Sequence, residues 1–347
     1  MCVKSGVALP KTKVGVMATD EEAYKQFSDL FGPIIKDLHP KFDFRYSYKF
    51  EELKMHPFQK KLDEMGRGPE SLDECRITVR RNFRGMPFTP LMTKEAKLQI
   101  ERRVVEVLGE LCGRYHQVSK IEEIHKEWLY SIGINIGRTE LHDASGINDD
   151  YPMGRGVFIE DNKEFVVLVN FEDHLQIVML PEREQTNNLK RSVMRLVKLL
   201  GTFEKMGFAT NAYLGHLSVN PEHLGTGFQI EGGMTVTGAE RSDDEVEHIR
   251  VLFHERLYEH KSMEVHVNRK KIDHSRLVIR FNSALTLAPN FNEKVLMDDF
   301  LQVVHVVTAM SDSSKQVANV GKEMDKDFGR PISAANRSSN AASSKYD

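Results

Sequence analysis

Apolar residues return along this chain in two rhythms, which separate helical from extended regions. In TDEEAYKQFSDLFGPIIKDL, Tyr24, Phe27 and Phe31 recur on one helical face, and Thr19 with Glu22 has capping-box spacing, so a single helix is expected there. A polar, weakly patterned stretch covers roughly residues 40–73; CRITV then reads as a short strand leading into an arginine-rich turn. A long helix is expected to start near Thr93, with Ile100, Val104, Val107, Leu108 and Leu111 on one stripe. From Gly154 to about Phe281, the runs FVVLVN, LQIVML, AYLGHLSV, GMTVTG and RLVIRF read as strands. One helix interrupts them (Val193, Leu196, Val197, Leu200, Phe203), and another closes the region (Leu296, Phe300, Val303, Val307, Met310). GTGFQIEGG lacks the GK[ST] ending of a P-loop and is expected to form a glycine-rich bend between strands. These elements predict an α+β fold, an antiparallel β-sheet flanked by helices.

Composition narrows the function classes. The chain has 347 residues, 40% apolar and 29% charged, as ordinary globular domains do. Its net charge of −3 offers no global basic field, so neither nucleic acid nor an anionic membrane is expected as a partner. No run of eighteen apolar residues and no apolar signal core occur, so a membrane span and secretion are not expected. Three scattered cysteines (Cys2, Cys75, Cys112) without a CxxC fit a reducing, cytoplasmic compartment, and fourteen histidines without an HExxH give no reason to expect a metal.

One strand pattern contains a polar break. In VNFEDHLQIVML, residues 169–180, Glu172, Asp173 and His174 sit where a strand would continue. This segment is one of five, in order, that carry a resemblance: TDEEAYKQFSDLFGPIIKDLH, RRNFRGMPFTPLMT, YPMGRGVFIED, VNFEDHLQIVML and NPEHLGTG. They resemble motifs of the ATP:guanidino phosphotransferases, the phosphagen kinases such as arginine and creatine kinase. The resemblance implies a glutamine synthetase-like catalytic domain, an eight-stranded antiparallel sheet flanked by helices. It also implies a helical N-terminal domain, of which this sequence keeps little. The expected organisation is an N-terminal remnant over 1–74 with one helix and a linker, a catalytic-like domain over 75–325, and over 326–347 a small, polar tail, disordered on its own.

The same resemblance implies an arginine cage for nucleotide phosphates, since planar, permanently charged guanidinium groups suit phosphate oxygens. Arg76 and Arg81 fill two arginine positions of the family's S-T-R-x-R-x-x-R segment, with Thr78 at the one between. Gln176 and Gln229 stand where further phosphate arginines belong. The family's flexible loop aligns near HVNRKKI, which puts His266 at an arginine position, Arg269 at the next, and Lys271 nearest the loop's acid. On the substrate side, Asn220 replaces the reactive cysteine and Phe171 the first of two acids, while Glu172 keeps the second as a relict orienting group or base. Asp173 and His174 are expected to hold the bend through local hydrogen bonds, and Arg155 to play a structural part. Arg76, Arg80, Arg81 and Arg84 form a basic cluster that could hold an anion, meet an acidic protein surface, or be solvated.

Three lost phosphate arginines, at roughly 1.5–3 kcal/mol per charged hydrogen bond, would remove about three to six decades in rate. The sequence therefore implies a catalytically inactive relative, a pseudokinase, that serves as a structural or scaffolding component of a larger assembly and needs no cofactor. Because phosphagen kinases serve motile flagella and cilia, the cytoskeleton of the axoneme is an implied location, with tubulin or other axonemal proteins as partners. The alternatives are an active guanidino or protein-arginine kinase using Mg-ATP, and a nucleotide-sensing module.

Overall fold

The computed structural model describes residues 1–51, 72–180, 188–237, 247, 251, 262–269 and 276–312. The N-terminal part holds three short helices, α1 (Lys4–Ala8), α2 (Ala23–Gln26) and α3 (Ser28–Leu38). The single helix expected over this region is broken at Phe27, whose φ of −113° and ψ of 39° leave the helical range. Phe27 consequently lies exposed while Tyr24 and Phe31 are buried. Its entry is stabilised by Asp20, which accepts a hydrogen bond from the Ala23 amide at 2.8 Å. Thr19, the expected cap, is instead buried, with its carbonyl accepting from the Phe88 amide at 2.7 Å.

Eight strands form one antiparallel sheet: β1 (Glu74–Arg81), β2 (Gly113–Gln117), β3 (Gly156–Glu160), β4 (Phe165–Val169), β5 (Leu175–Met179), β8 (Phe228–Thr237), β9 (Met263–Arg269) and β10 (Arg276–Ser283). Their order across the sheet is β2-β3-β4-β5-β1-β8-β10-β9. The expected strand AYLGHLSV shrinks to a two-residue pairing of β6 (Thr210–Asn211) with β7 (Gly215–His216). The expected bend at GTGFQIEGG is, beyond Gly227, the continuous strand β8. Its glycine at 232 answers a packing need rather than a turn: a Cβ there would stand 2.6 Å from the Phe281 ring of β10.

Alternation along β1 decides what each sheet face carries. Ile77 and Val79 point to one side, where they meet α4 (Lys94–Leu108), α7 (Asn188–Glu204) and α8 (Glu293–Asp312) through Ile100, Val104, Leu196, Phe203 and Phe300. The amphipathic patterns expected for these helices therefore find their sheet. Thr93 caps α4 by accepting from the Ala96 amide at 3.3 Å, and Asn292 does the same for α8 from Val295 at 3.1 Å. On the other face, a smaller core of Val157, Val166, Leu168 and Val178 is covered by α5 (Glu123–Ser131). The N-terminal helices share a third core, in which Tyr24 and Phe31 pack with Phe88, Leu217, Val219 and Leu287 of the main body.

Candidate functional site

The second sheet face is open over β4, β5, β1 and β8, and a cavity of about 300 Å³ lies there. The register sets its floor. Thr78 pairs with Val178 of β5 and Gln229 of β8, Arg80 with Gln176, and Arg76 with Glu231, so all these side chains share one face. The wall is the segment around Gly133, Asn135, Gly137 and Thr139 together with His142 of α6 (Glu140–Ser145). Glu172 and Phe171 complete it from the β4–β5 hairpin. Thr78, Phe171, Glu172, Gln176 and Gln229, singled out from sequence, are thus brought together.

The charges inside this cavity are already balanced. Arg76 donates from Nη2 to the Ile132 carbonyl, and its Nε lies 3.7 Å from the Glu231 carboxylate, so it acts as a strut between the sheet and the wall. Arg80 donates from Nη1 to Oε1 of Gln229 at 3.3 Å. Two arginines face two glutamates, and the remaining polar side chains of the lining are carboxamides, hydroxyls and the imidazole of His142.

Arg81 does not belong to the site. It follows the parity of Ile77 and Val79, which sends its guanidinium through to the opposite face, where the side chain is 4% exposed. There it donates to the Thr226 carbonyl at 2.7 Å, approaches Glu293 at 3.4 Å, and lies 5.6 and 5.5 Å from the ring centres of Phe208 and Phe228. The basic cluster expected over Arg76–Arg84 is therefore split: Arg76 and Arg80 face the cavity, Arg81 is buried behind it, and Arg84 is exposed. His266 is exposed on β9, 3.8 Å from Glu264, and does not line the cavity; Arg269 ends the same strand, opposite Leu277, and its side chain lies outside what the structure describes. Lys271 and the tail 326–347 lie outside the described residues. Asn220 is likewise apart, capping the turn 221–223 by accepting from the Glu222 amide at 3.0 Å.

The polar break is a hairpin loop between β4 and β5. Asn170 turns the chain at φ 59°, a left-handed conformation that asparagine tolerates. Its Nδ2 donates to the carbonyls of Lys97 at 3.0 Å and Gly154 at 2.8 Å. The expected local hydrogen bonds of Asp173 and His174 are instead long-range. Asp173 accepts from Asn82 Nδ2 at 2.5 Å, Ser218 Oγ at 3.0 and 2.9 Å, and the Val219 amide at 2.8 Å. His174 Nδ1 accepts from the Phe83 amide at 3.0 Å, which fixes its proton on Nε2 to donate to the Pro87 carbonyl at 2.9 Å. Arg155, 1% exposed, donates to the carbonyls of Ile147 and of Met153, the latter at 3.4 Å; burial lowers its guanidinium to about 10.

Glu172 has two neighbours that sequence reasoning missed. Nε2 of His142 lies 3.6 Å and Nε2 of His223 3.5 Å from its carboxylate oxygens. They come from α6 and from the 221–223 turn, remote in sequence, so no local spacing announces them. Burial alone would raise Glu172, but the contact with His142 and the charges of His223 and Arg80 hold it down to about 2. A carboxylate that weakly basic is ill suited to accept a proton near neutral pH. Among the described residues no cluster of three or more His, Cys, Asp or Glu could hold a metal ion, and no helix is long and apolar enough to cross a membrane.

Burial lowers His174, His216 and His223, each to about 4, whereas the unfolded histidine titrates near 6.5. As pH falls from 6.5 to 4 the unfolded chain takes up these three protons and the folded chain does not, so stability is lost across that window. Burial and Glu172 raise Asp173 to about 6, which returns one proton to the folded side. The net difference of roughly two protons gives a steepest slope of about 2.7 kcal/mol per pH unit. Urea unfolding at pH 7, 6, 5 and 4.5 measures it; a flat profile from 7 to 5 would refute the buried neutral histidines.

Comparison with known proteins places these features. The profile described as "ATP:guanido phosphotransferase, C-terminal catalytic domain" matches residues 97–234, and that of the same family's N-terminal domain matches residues 1–36. An arginine kinase of Anthopleura japonica is 30% identical over 258 residues, covering 73% of this chain and 35% of its own length. An arginine kinase of Liolophura japonica is 34% identical over 239 residues, covering 65% and 64%. The chain thus spans less than two thirds of the length of these relatives. In fold, the crystal structure of lombricine kinase superposes with a TM-score of 0.70 at 19% identity, covering 92% of this chain and 87% of that one.

Proposed function

The chain belongs to the ATP:guanido phosphotransferase family, and from that premise we propose that it is a catalytically inactive member that serves as a structural or scaffolding protein. The observation that carries this reading is the internal pairing of the cavity's charges. Phosphoryl transfer from a nucleotide needs uncompensated positive charge aimed at the phosphates. Here Arg76 is committed to Glu231 and the Ile132 carbonyl, and neutral Thr78, Gln176 and Gln229 surround it. The buried bonds of Asn82, Asp173 and His174, by contrast, are fully engaged and serve the fold.

A scaffold of this kind needs a protein partner, and the axonemal microtubule is the narrower form of the proposal. It is tested by co-sedimentation of the full chain with microtubules, where persistent absence from the pellet removes tubulin as the partner. The loss of catalysis is tested by coupled assay with Mg-ATP and arginine, creatine or an arginine-bearing peptide. No phosphoryl transfer above the uncatalysed background is expected; turnover at about 1 s⁻¹ or faster, in the range of working enzymes, would establish an active kinase instead.

A further inference from the structure

The cavity on the open sheet face has lost its excess positive charge but not its shape, and its lining has a definite chemical character. Arg76 and Arg80 are matched by Glu231 and Glu172, so an anion and a cation would each meet one favourable and one unfavourable neighbour. An uncharged molecule meets neither conflict and gives up less hydration on entry.

The unfilled hydrogen-bonding groups point the same way. The Gln176 side chain stands on the cavity floor with no hydrogen bond to any described residue, leaving both a donor and an acceptor open. Gln229 uses its oxygen for Arg80 and Asn135 uses its oxygen for the Gly137 amide at 2.8 Å, so their NH₂ groups are the ends left over. A carboxamide with both ends free pairs in bidentate fashion with the donor–acceptor edge of a purine, as glutamine and asparagine do with adenine. Leu168 and Val178 add an apolar strip to the floor between these groups, and the sheet on one side and the glycine-bearing 133–137 segment on the other make the space a slot. Its volume of about 300 Å³ is at the lower end for small-molecule sites.

We propose that this slot binds an uncharged, planar, multiply hydrogen-bonding molecule of purine-nucleoside size, held by Gln176 and the free NH₂ ends of Gln229 and Asn135. The inference rests on the reading that the phosphate cage is gone, because a working cage would favour the triphosphate over the nucleoside.

The test is calorimetric titration of the full chain with adenosine, AMP and Mg-ATP, repeated on the Gln176→Leu variant. Adenosine is expected to bind at sub-millimolar concentration, with AMP and Mg-ATP no tighter. Gln176→Leu, with an unchanged unfolding midpoint, is expected to weaken adenosine about tenfold, the effect of losing one to two hydrogen bonds. Absence of adenosine binding at several millimolar, or binding that Gln176→Leu leaves unchanged, would overturn the slot proposal and leave the loss of the phosphate cage standing. Mg-ATP binding at least tenfold tighter than adenosine would overturn both.

Discussion

Replacing Asp173 with alanine is expected to cost about 3–5 kcal/mol of folding stability, the range for breaking a buried charged network. The carboxylate is 1% exposed and gathers Asn82 from one segment and Ser218 and the Val219 amide from another, both remote from the hairpin in sequence. Without it the Val219 N–H and the Asn82 amide remain buried beside an apolar methyl, and each unsatisfied donor costs about 1–3 kcal/mol. Part of this is offset, since burial already raises Asp173 and makes its charge expensive. Asp173→Asn retains one accepting oxygen and is expected to lose about half as much. Urea unfolding at pH 7 checks both; a loss under about 1 kcal/mol for the alanine variant would show that the hairpin is held by other contacts.

The second large effect is a gain. If the cage was lost through Thr78, Gln176 and Gln229, then the triple variant Thr78→Arg, Gln176→Arg, Gln229→Arg returns three guanidinium groups to one sheet face. The three positions sit on adjacent strands, with Thr78 directly opposite Gln229 and one alternation from the Arg80–Gln176 pair. Charged hydrogen bonds at about 1.5–3 kcal/mol each set an upper range of roughly 4–9 kcal/mol. Glu231, beside Arg76, opposes part of this. An affinity gain for Mg-ATP of at least about 100-fold, or about 2.7 kcal/mol, is expected, with a steep loss in added salt. An unchanged affinity would mean that something other than these three positions disables the site.

Much of the fold was legible in the sequence because motif and periodicity agreed. The apolar stripes of α4, α7 and α8 marked the sheet-covering helices, and the runs FVVLVN and LQIVML became β4 and β5. Alternation would also have separated Arg80 from Arg81, since Ile77 and Val79 declare which face is buried; matching the arginines to a motif by position alone obscured it. Other features had no local signal. His142 and His223 reach Glu172 from distant segments. The bonds of Asp173 and His174 span 45 to 92 residues. The glycine at 232 looked like a turn and is a clearance for the Phe281 ring. The short pairing at Thr210–Asn211 with Gly215–His216 reflects tertiary context overriding a β-like run, because the chain there folds back onto Gly225 and Ala209.

The proposed inactivity depends on one property of the cavity, that Arg76 is spent on Glu231 and the Ile132 carbonyl while Arg80 meets only the Gln229 amide oxygen. Isothermal titration of the full, unmodified chain with Mg-ATP at low salt reads that property directly. Binding no tighter than millimolar is predicted, equivalent to about −4 kcal/mol or weaker. A micromolar dissociation constant that weakens steeply with added salt would show a working phosphate cage and contradict it.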